Sequence, residues 1–146
     1  MQTQPTHPGA LDDLLARAIT IAGLVGVALI HVLQLPDAFA EEGYLGALFI
    51  CAVAGCLVLA AALTRSSDRL VWELAAALPA LILLGYVVSR SVGLPGFTGD
   101  IGEWSEPPGL ASMVLEPLVI AVSVAVLAGR HQAATAPMTS GRPAVA

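Results

Sequence analysis

The chain has 146 residues, 57% of them apolar and only 12% charged, and its mean hydropathy is +0.83. Soluble domains carry about 25% charged residues, so this composition excludes a soluble fold and points to an integral membrane protein. The net charge of −5 says little about partners, but no basic cluster or aromatic platform supports nucleic acid as one, and none is expected.

Residues 1–9 (M-Q-T-Q-P-T-H-P-G) are polar and interrupted by proline, and are expected to form a disordered tail that contains His7. Helix is expected from Ala10, with Asp12 and Asp13 in a first turn that favours negative charge. Asp13 and Arg17 stand four apart, the spacing of a helical surface pair. A first span over 16–35 has the ~20 residues that a ~30 Å hydrocarbon core requires. Ala38-Phe39-Ala40 also fits a signal-peptide cleavage site, but the apolar run exceeds the usual ~7–15 residues and its leader is acidic. The span is therefore read as uncleaved.

Residues 36–43 read as a short turn, and 44–63 as the second span. Small residues recur there every four positions, Ala47, Cys51 and Gly55 on one row and Ala52, Cys56 and Ala60 on another. The first span has Ala18, Ala22 and Gly26. This spacing lets membrane helices approach closely. Cys51 and Cys56 point about 140° apart on a helix, so they neither pair nor share a ligand, and packing is their expected role.

A polar loop over 64–69 ends at Asp68, the expected N-cap of a third span over 70–92. Trp72 is expected at the membrane interface, Glu73 paired with Arg69 or Arg17, and Pro79 at a mid-span kink. The glycines and prolines of 93–109 exclude regular structure, and Phe97 and Trp104 are expected along the interface. The fourth span covers 110–128, and 129–146 reads as a second tail. The membrane domain is thus 10–128, an all-α antiparallel bundle of four transmembrane helices.

Arg17, Arg65, Arg69, Arg130 and Arg142 fall on one side of this arrangement and Arg90 alone on the other. The positive-inside rule then places both termini in the cytoplasm. All-arginine basic residues and abundant alanine accord with a GC-rich bacterial genome, and hence with the bacterial cytoplasmic membrane. The lipid bilayer is the implied partner, with a partner membrane subunit or a second copy as further candidates.

Glu116, directly before Pro117, lies roughly 9 Å into the fourth span. An acid at membrane depth costs about 2.5–3.5 kcal/mol on insertion scales, so it should face protein or water. His31 near the outer end of the first span and Arg90 near that of the third come to a similar level, within about 5 Å. Ser112, Glu116 and Ser123 share a face of the fourth span; His31 shares one with Gly23, Val27 and Gln34, and Arg90 one with Tyr86. His31, Gln34, Tyr86, Arg90, Ser112 and Glu116 are therefore the candidate outward-facing polar pocket. The simplest account of it is structural, a Glu116–Arg90 ion pair with His31 hydrogen-bonded beside it.

Three other chemistries use the same residues. His31 and Glu116, with Asp37, Glu41 or Glu42 from the first connection, form a candidate Zn²⁺ or Cu²⁺ set, although the spacing matches no metal motif. His31 could serve as an axial haem ligand, but His7 and His131 lie in the tails and supply no second one. A Glu–Arg–His set could also move a proton. The sequence contains no G-x-S-x-G, H-E-x-x-H, phosphate loop or C-x-x-C, so a non-enzymatic role is expected.

Residues 31–49 (H-V-L-Q-L-P-D-A-F-A-E-E-G-Y-L-G-A-L-F) resemble the first hairpin of a set of uncharacterised four-span bacterial integral membrane proteins. Those have a late first-span histidine, a P-x-x-F/L-x-E connection and a G-x-x-F opening of the second span. Residues 89–95 (S-R-S-V-G-L-P) are similar to their S-R-T-x-G-L-P segment, and Glu116 to their acid early in the last span. The resemblance covers about 100 residues and implies the four-span fold, but no activity. Many members carry a second histidine where this chain has Asp37-Ala38, which works against a metal role here.

Overall fold

The computed structural model describes residues 8–135, with side-chain environments from Asp12 onward. The described residues form four helices, α1 (Pro8–Glu41), α2 (Gly43–Arg65), α3 (Arg69–Ser91) and α4 (Pro107–Thr135), and no strand. Each is long and apolar enough to cross a membrane. They pack as an antiparallel four-helix bundle in which α1 lies between α2 and α4, α4 continues the ring to α3, and the α2–α3 seam is the thinnest.

Burial follows the logic of a bilayer. Leu14, Leu29, Leu33, Val58, Leu81 and Val114 are among the many large apolar side chains left on the outside, where lipid is an equivalent solvent. Thr20, His31, Ser89, Arg90, Ser112, Glu116 and Ser123 are turned inward. Polar groups facing hydrocarbon are costly, and this distribution keeps them inside the protein.

Several boundaries differ from the sequence expectation. The turn expected over 36–43 is absent: α1 runs through Pro36 to Glu41, and Glu42 alone links it to α2. Pro36 deletes one backbone bond, yet Ala38 still accepts from the Glu42 amide at 3.1 Å, so the last turn holds beyond the proline. At ~1.5 Å per residue α1 is about 50 Å long and must project beyond a ~30 Å hydrocarbon core. Helix begins at Pro8 instead of Ala10, and α4 at Pro107 instead of residue 110. α4 also continues to Thr135, taking in the first residues of the expected second tail; His131 sits on this exposed last stretch. The rest of both expected tails, with His7 and Arg142, lies outside the described residues.

The dry core occupies the half of the bundle nearer the termini. Leu24, Val27, Cys56, Leu59, Leu63, Trp72 and Val119 are among its buried members. Of the two small-residue rows on α2, the row Ala52, Cys56 and Ala60 is buried, whereas Ala47 and Cys51 are exposed; Ala18 and Ala22 are exposed too. The α1–α4 crossing is closest at Gly23, where an added Cβ would fall inside the Val119 side chain. Trp72, in the first turn of α3, is fully buried within the bundle. Its indole nitrogen donates to Ser67 Oγ at 3.3 Å, and the Arg130 guanidinium lies 5.7 Å from its ring centroid. Arg130 also donates to Ser67 Oγ at 2.6 Å and to the Ser67 carbonyl, tying α4 to the α2–α3 loop. Glu73 pairs with Arg69 at 2.7 Å and Arg17 with Asp13 at 3.2 Å.

Candidate functional site

The half of the bundle nearer the α1–α2 and α3–α4 connections holds a cavity of about 450 Å³. Such a volume lies within the ~300–1,000 Å³ usual for small-molecule sites. His31, Gln34, Tyr86, Arg90, Ser112 and Glu116 all line it, so the structure brings the six candidate pocket residues together. Asp37 and Glu41, on the projecting end of α1, line its upper part. Glu42 does not line it; its carboxylate approaches Gly96 in the α3–α4 connection instead.

The Glu116–Arg90 pair expected from the sequence is not formed. Arg90, 6% exposed, makes ion pairs with Asp100 and with Glu106, the latter at 2.6 Å. Its guanidinium also lies 5.0 Å from the Tyr86 ring centroid. Both carboxylates come from the long connection, which folds back over the end of the bundle. Three glycines with positive φ make that path open to an L-chain: Gly93 (83°), Gly96 (78°) and Gly102 (88°). Leu94 and Phe97 exchange backbone bonds of 2.7 and 2.9 Å around Pro95-Gly96, the residue pattern of a type II turn. The Gly102 amide then donates to the Arg90 carbonyl at 2.9 Å, capping α3. Tyr44 on α2 holds the same loop through a 2.7 Å bond from its hydroxyl to the Pro95 carbonyl.

Glu116 is fully buried, and its partner is on its own helix. Ser112, one turn earlier, donates to Oε1 at 2.5 Å, while Oε2 has no hydrogen-bond partner among the described residues. The Tyr86 hydroxyl is likewise unpartnered among them. Gly109 gives that hydroxyl its room, because an added Cβ there would lie 2.6 Å from it. Trp104 stands edge-on to Tyr86 at 6.0 Å between centroids, so the connection packs against α3 there. His31 Nδ1 is 2.9 Å from the Val27 carbonyl. A carbonyl can only accept, so Nδ1 carries the proton in this contact. Phe49 contacts the ring edge-on at 4.8 Å.

Sequence reasoning missed Asp100, Glu106, Phe49 and Gly109. The first two were legible only as acidic residues of the connection. Among the described residues, no three His, Cys, Asp or Glu side chains gather as a metal site requires, so His31, Glu116, Asp37, Glu41 and Glu42 do not converge as a ligand set. No protein-family model, curated protein or solved structure matches the chain.

Proposed function

We propose that this chain is a non-enzymatic multi-pass membrane protein that binds a small ligand in an outward-facing cavity, in the manner of an accessory subunit. One observation carries the reading: the cavity collects the buried polar side chains of three spans, with Glu116 Oε2 and the Tyr86 hydroxyl left unpartnered by the described residues. Leaving a buried polar atom unpaired costs about 1–3 kcal/mol, and a bound molecule offering complementary groups removes that cost. The site is one for binding and orienting, with the Arg90 clamp as its lid-side wall. Proton or ion movement through His31, Arg90 and Glu116 is the competing use of the same residues.

The orientation follows from charge. Arg17, Arg65, Arg69 and Arg130 cluster at the end that carries the termini and the α2–α3 loop, whereas Arg90 stands alone at the cavity end. The positive-inside rule supports cytoplasmic termini and a cavity open to the outside of a bacterial cytoplasmic membrane. An impermeant maleimide should then label Ser105→Cys in intact cells, in a chain with Cys51 and Cys56 replaced by alanine; labelling only after lysis would reverse the topology.

Gly85 offers the test of binding. It lines the cavity, is exposed, and an added Cβ there meets no atom within 4 Å, so Gly85→Phe is the variant chosen to occupy the space. Small molecules extracted from the purified wild type should include a species missing from Gly85→Phe of equal helicity. Identical extracts from the two proteins would overturn the reading.

A further inference from the structure

The cavity does not open only at the outer end of the bundle. Its lower wall is made by Leu48, Cys51 and Ala52 of α2 and by Leu78, Leu81 and Ile82 of α3. Leu48 is 57% exposed and Leu81 66%, so this wall reaches the lipid-facing surface. The geometry of the seam explains the opening. α2 and α3 meet closely at Gly55, where an added Cβ would lie 2.8 Å from Leu78 Cδ2. Nearer the connection end the seam is lined on both sides by outward-turned leucines instead of by interlocked side chains, and a second apolar groove below it shares Leu78 and Leu81 with the cavity. The cavity lining thus runs continuously from these exposed leucines to Glu116.

The charge of that chamber is one-sided. Asp37, Glu41, Asp100, Glu106 and Glu116 line it against Arg90 alone. Arg90 is already committed to Asp100 and Glu106, which leaves Glu116 with no cationic partner in the bundle. The unpartnered atoms of the lining residues are mixed: the free carboxylate oxygen of Glu116 accepts, the Arg90 Nε–H donates, and the Tyr86 hydroxyl can do either. An anionic head such as a phosphate would meet five carboxylates against one guanidinium that already holds two of them. An apolar body fits the leucine-lined seam, and a positive head fits the floor.

We infer that the ligand of this cavity is a lipid-soluble organic cation that enters from the bilayer between α2 and α3 and sets its charge against Glu116. The inference rests on the proposed binding role of the cavity and specifies its ligand class. The oriented carboxylate supplies charge complementarity inside a low-dielectric site, where an ion pair is far stronger than in water.

Two shape-matched probes of opposite charge test it, tetraphenylphosphonium and tetraphenylborate. Binding of each to the full-length protein in neutral detergent is followed by Trp104 fluorescence and by radiolabel retention. The wild type should bind tetraphenylphosphonium saturably and discriminate against tetraphenylborate. Glu116→Gln, which keeps the side-chain shape, should weaken the cation by about tenfold or more. Leu81→Trp, at a lipid-exposed position that folding does not depend on, should slow its association by narrowing the seam. Equal binding of both ions that is lost in Gly85→Phe would overturn the cation preference while leaving the cavity as a binding site. Cation binding indifferent to Glu116→Gln and to Gly85→Phe would place it elsewhere and overturn both readings. Absence of saturable cation binding in the wild type would overturn the inference alone.

Discussion

Arg90 and Glu116 line one cavity and are held apart by different partners: Arg90 by Asp100 and Glu106 of the α3–α4 connection, Glu116 by Ser112 of its own helix. The division separates two tasks. The arginine fastens a loop across the mouth of the bundle, and the acid remains with one oxygen uncommitted beneath it.

A double-mutant cycle should register that separation. Arg90→Ala is expected to destabilise by about 1.5–3 kcal/mol, the range for hydrogen bonds to charged groups. The loss stays below that of a fully buried pair because the two carboxylates it frees are 27% and 48% exposed and can be rehydrated. Glu106→Gln, touching only the more exposed partner, should cost about 1 kcal/mol or less. Arg90→Ala combined with Glu116→Gln should be additive to within about 0.5 kcal/mol. Denaturant unfolding in detergent followed by circular dichroism measures all five proteins: the wild type, the three single variants and the double variant. A coupling energy well above that limit would mean that the two charges interact after all.

Ser112 and Ser123 lie on the same buried face of α4 and should respond oppositely to alanine. Ser112 donates to Glu116, so Ser112→Ala strips a fully buried carboxylate of its hydrogen bond and should cost about 1–3 kcal/mol. Ser123 Oγ is buried with no partner among the described residues, so Ser123→Ala removes an unsatisfied group and should be neutral or stabilising. Thermal unfolding of the two variants beside the wild type decides between them. Equal destabilisation would show that Ser123 is satisfied in solution.

The helices were readable because lipid imposes a simple requirement, about 20 apolar residues per span with every backbone group bonded internally. The inward stripe of Ser112, Glu116 and Ser123 was readable for a related reason, since polar residues on one face of an apolar helix have nowhere else to go. The helix through Pro36 was not. A proline marks a stop by its missing donor, but the chain beyond it keeps helical bonds when the next connection needs only one residue, Glu42. The partners of Arg90 were hidden for a different reason. They lie 10 and 16 residues away along a loop whose course depends on three positive-φ glycines, and no helical period relates them. Glycine spacing announces a loop without saying where it folds back.

Arg130 forms the counterpart fastening at the other end of the bundle. Its guanidinium donates to the carbonyl and hydroxyl of Ser67, reaches Asp13 at 3.4 Å and lies over the Trp72 ring. Three helices and one loop thus meet at one side chain, 37% exposed. Asp13 pairs with Arg17 at 3.2 Å as well as with Arg130, and both pairs are solvent-screened, so Asp13→Asn is expected to change stability by about 1 kcal/mol or less. Arg130→Ala loses the Ser67 bonds and the cation–π contact together, and about 1–3 kcal/mol is expected. Arg130→Lys keeps the charge but not the planar fork that spans both Ser67 oxygens, and should recover only part of that loss. Trp72 reports the event locally: in a Trp104→Phe background, Arg130→Ala should shift the Trp72 emission to the red as water reaches the indole. An unchanged emission maximum alongside lost stability would mean that Arg130 acts through the α2–α3 loop and not through the ring it covers.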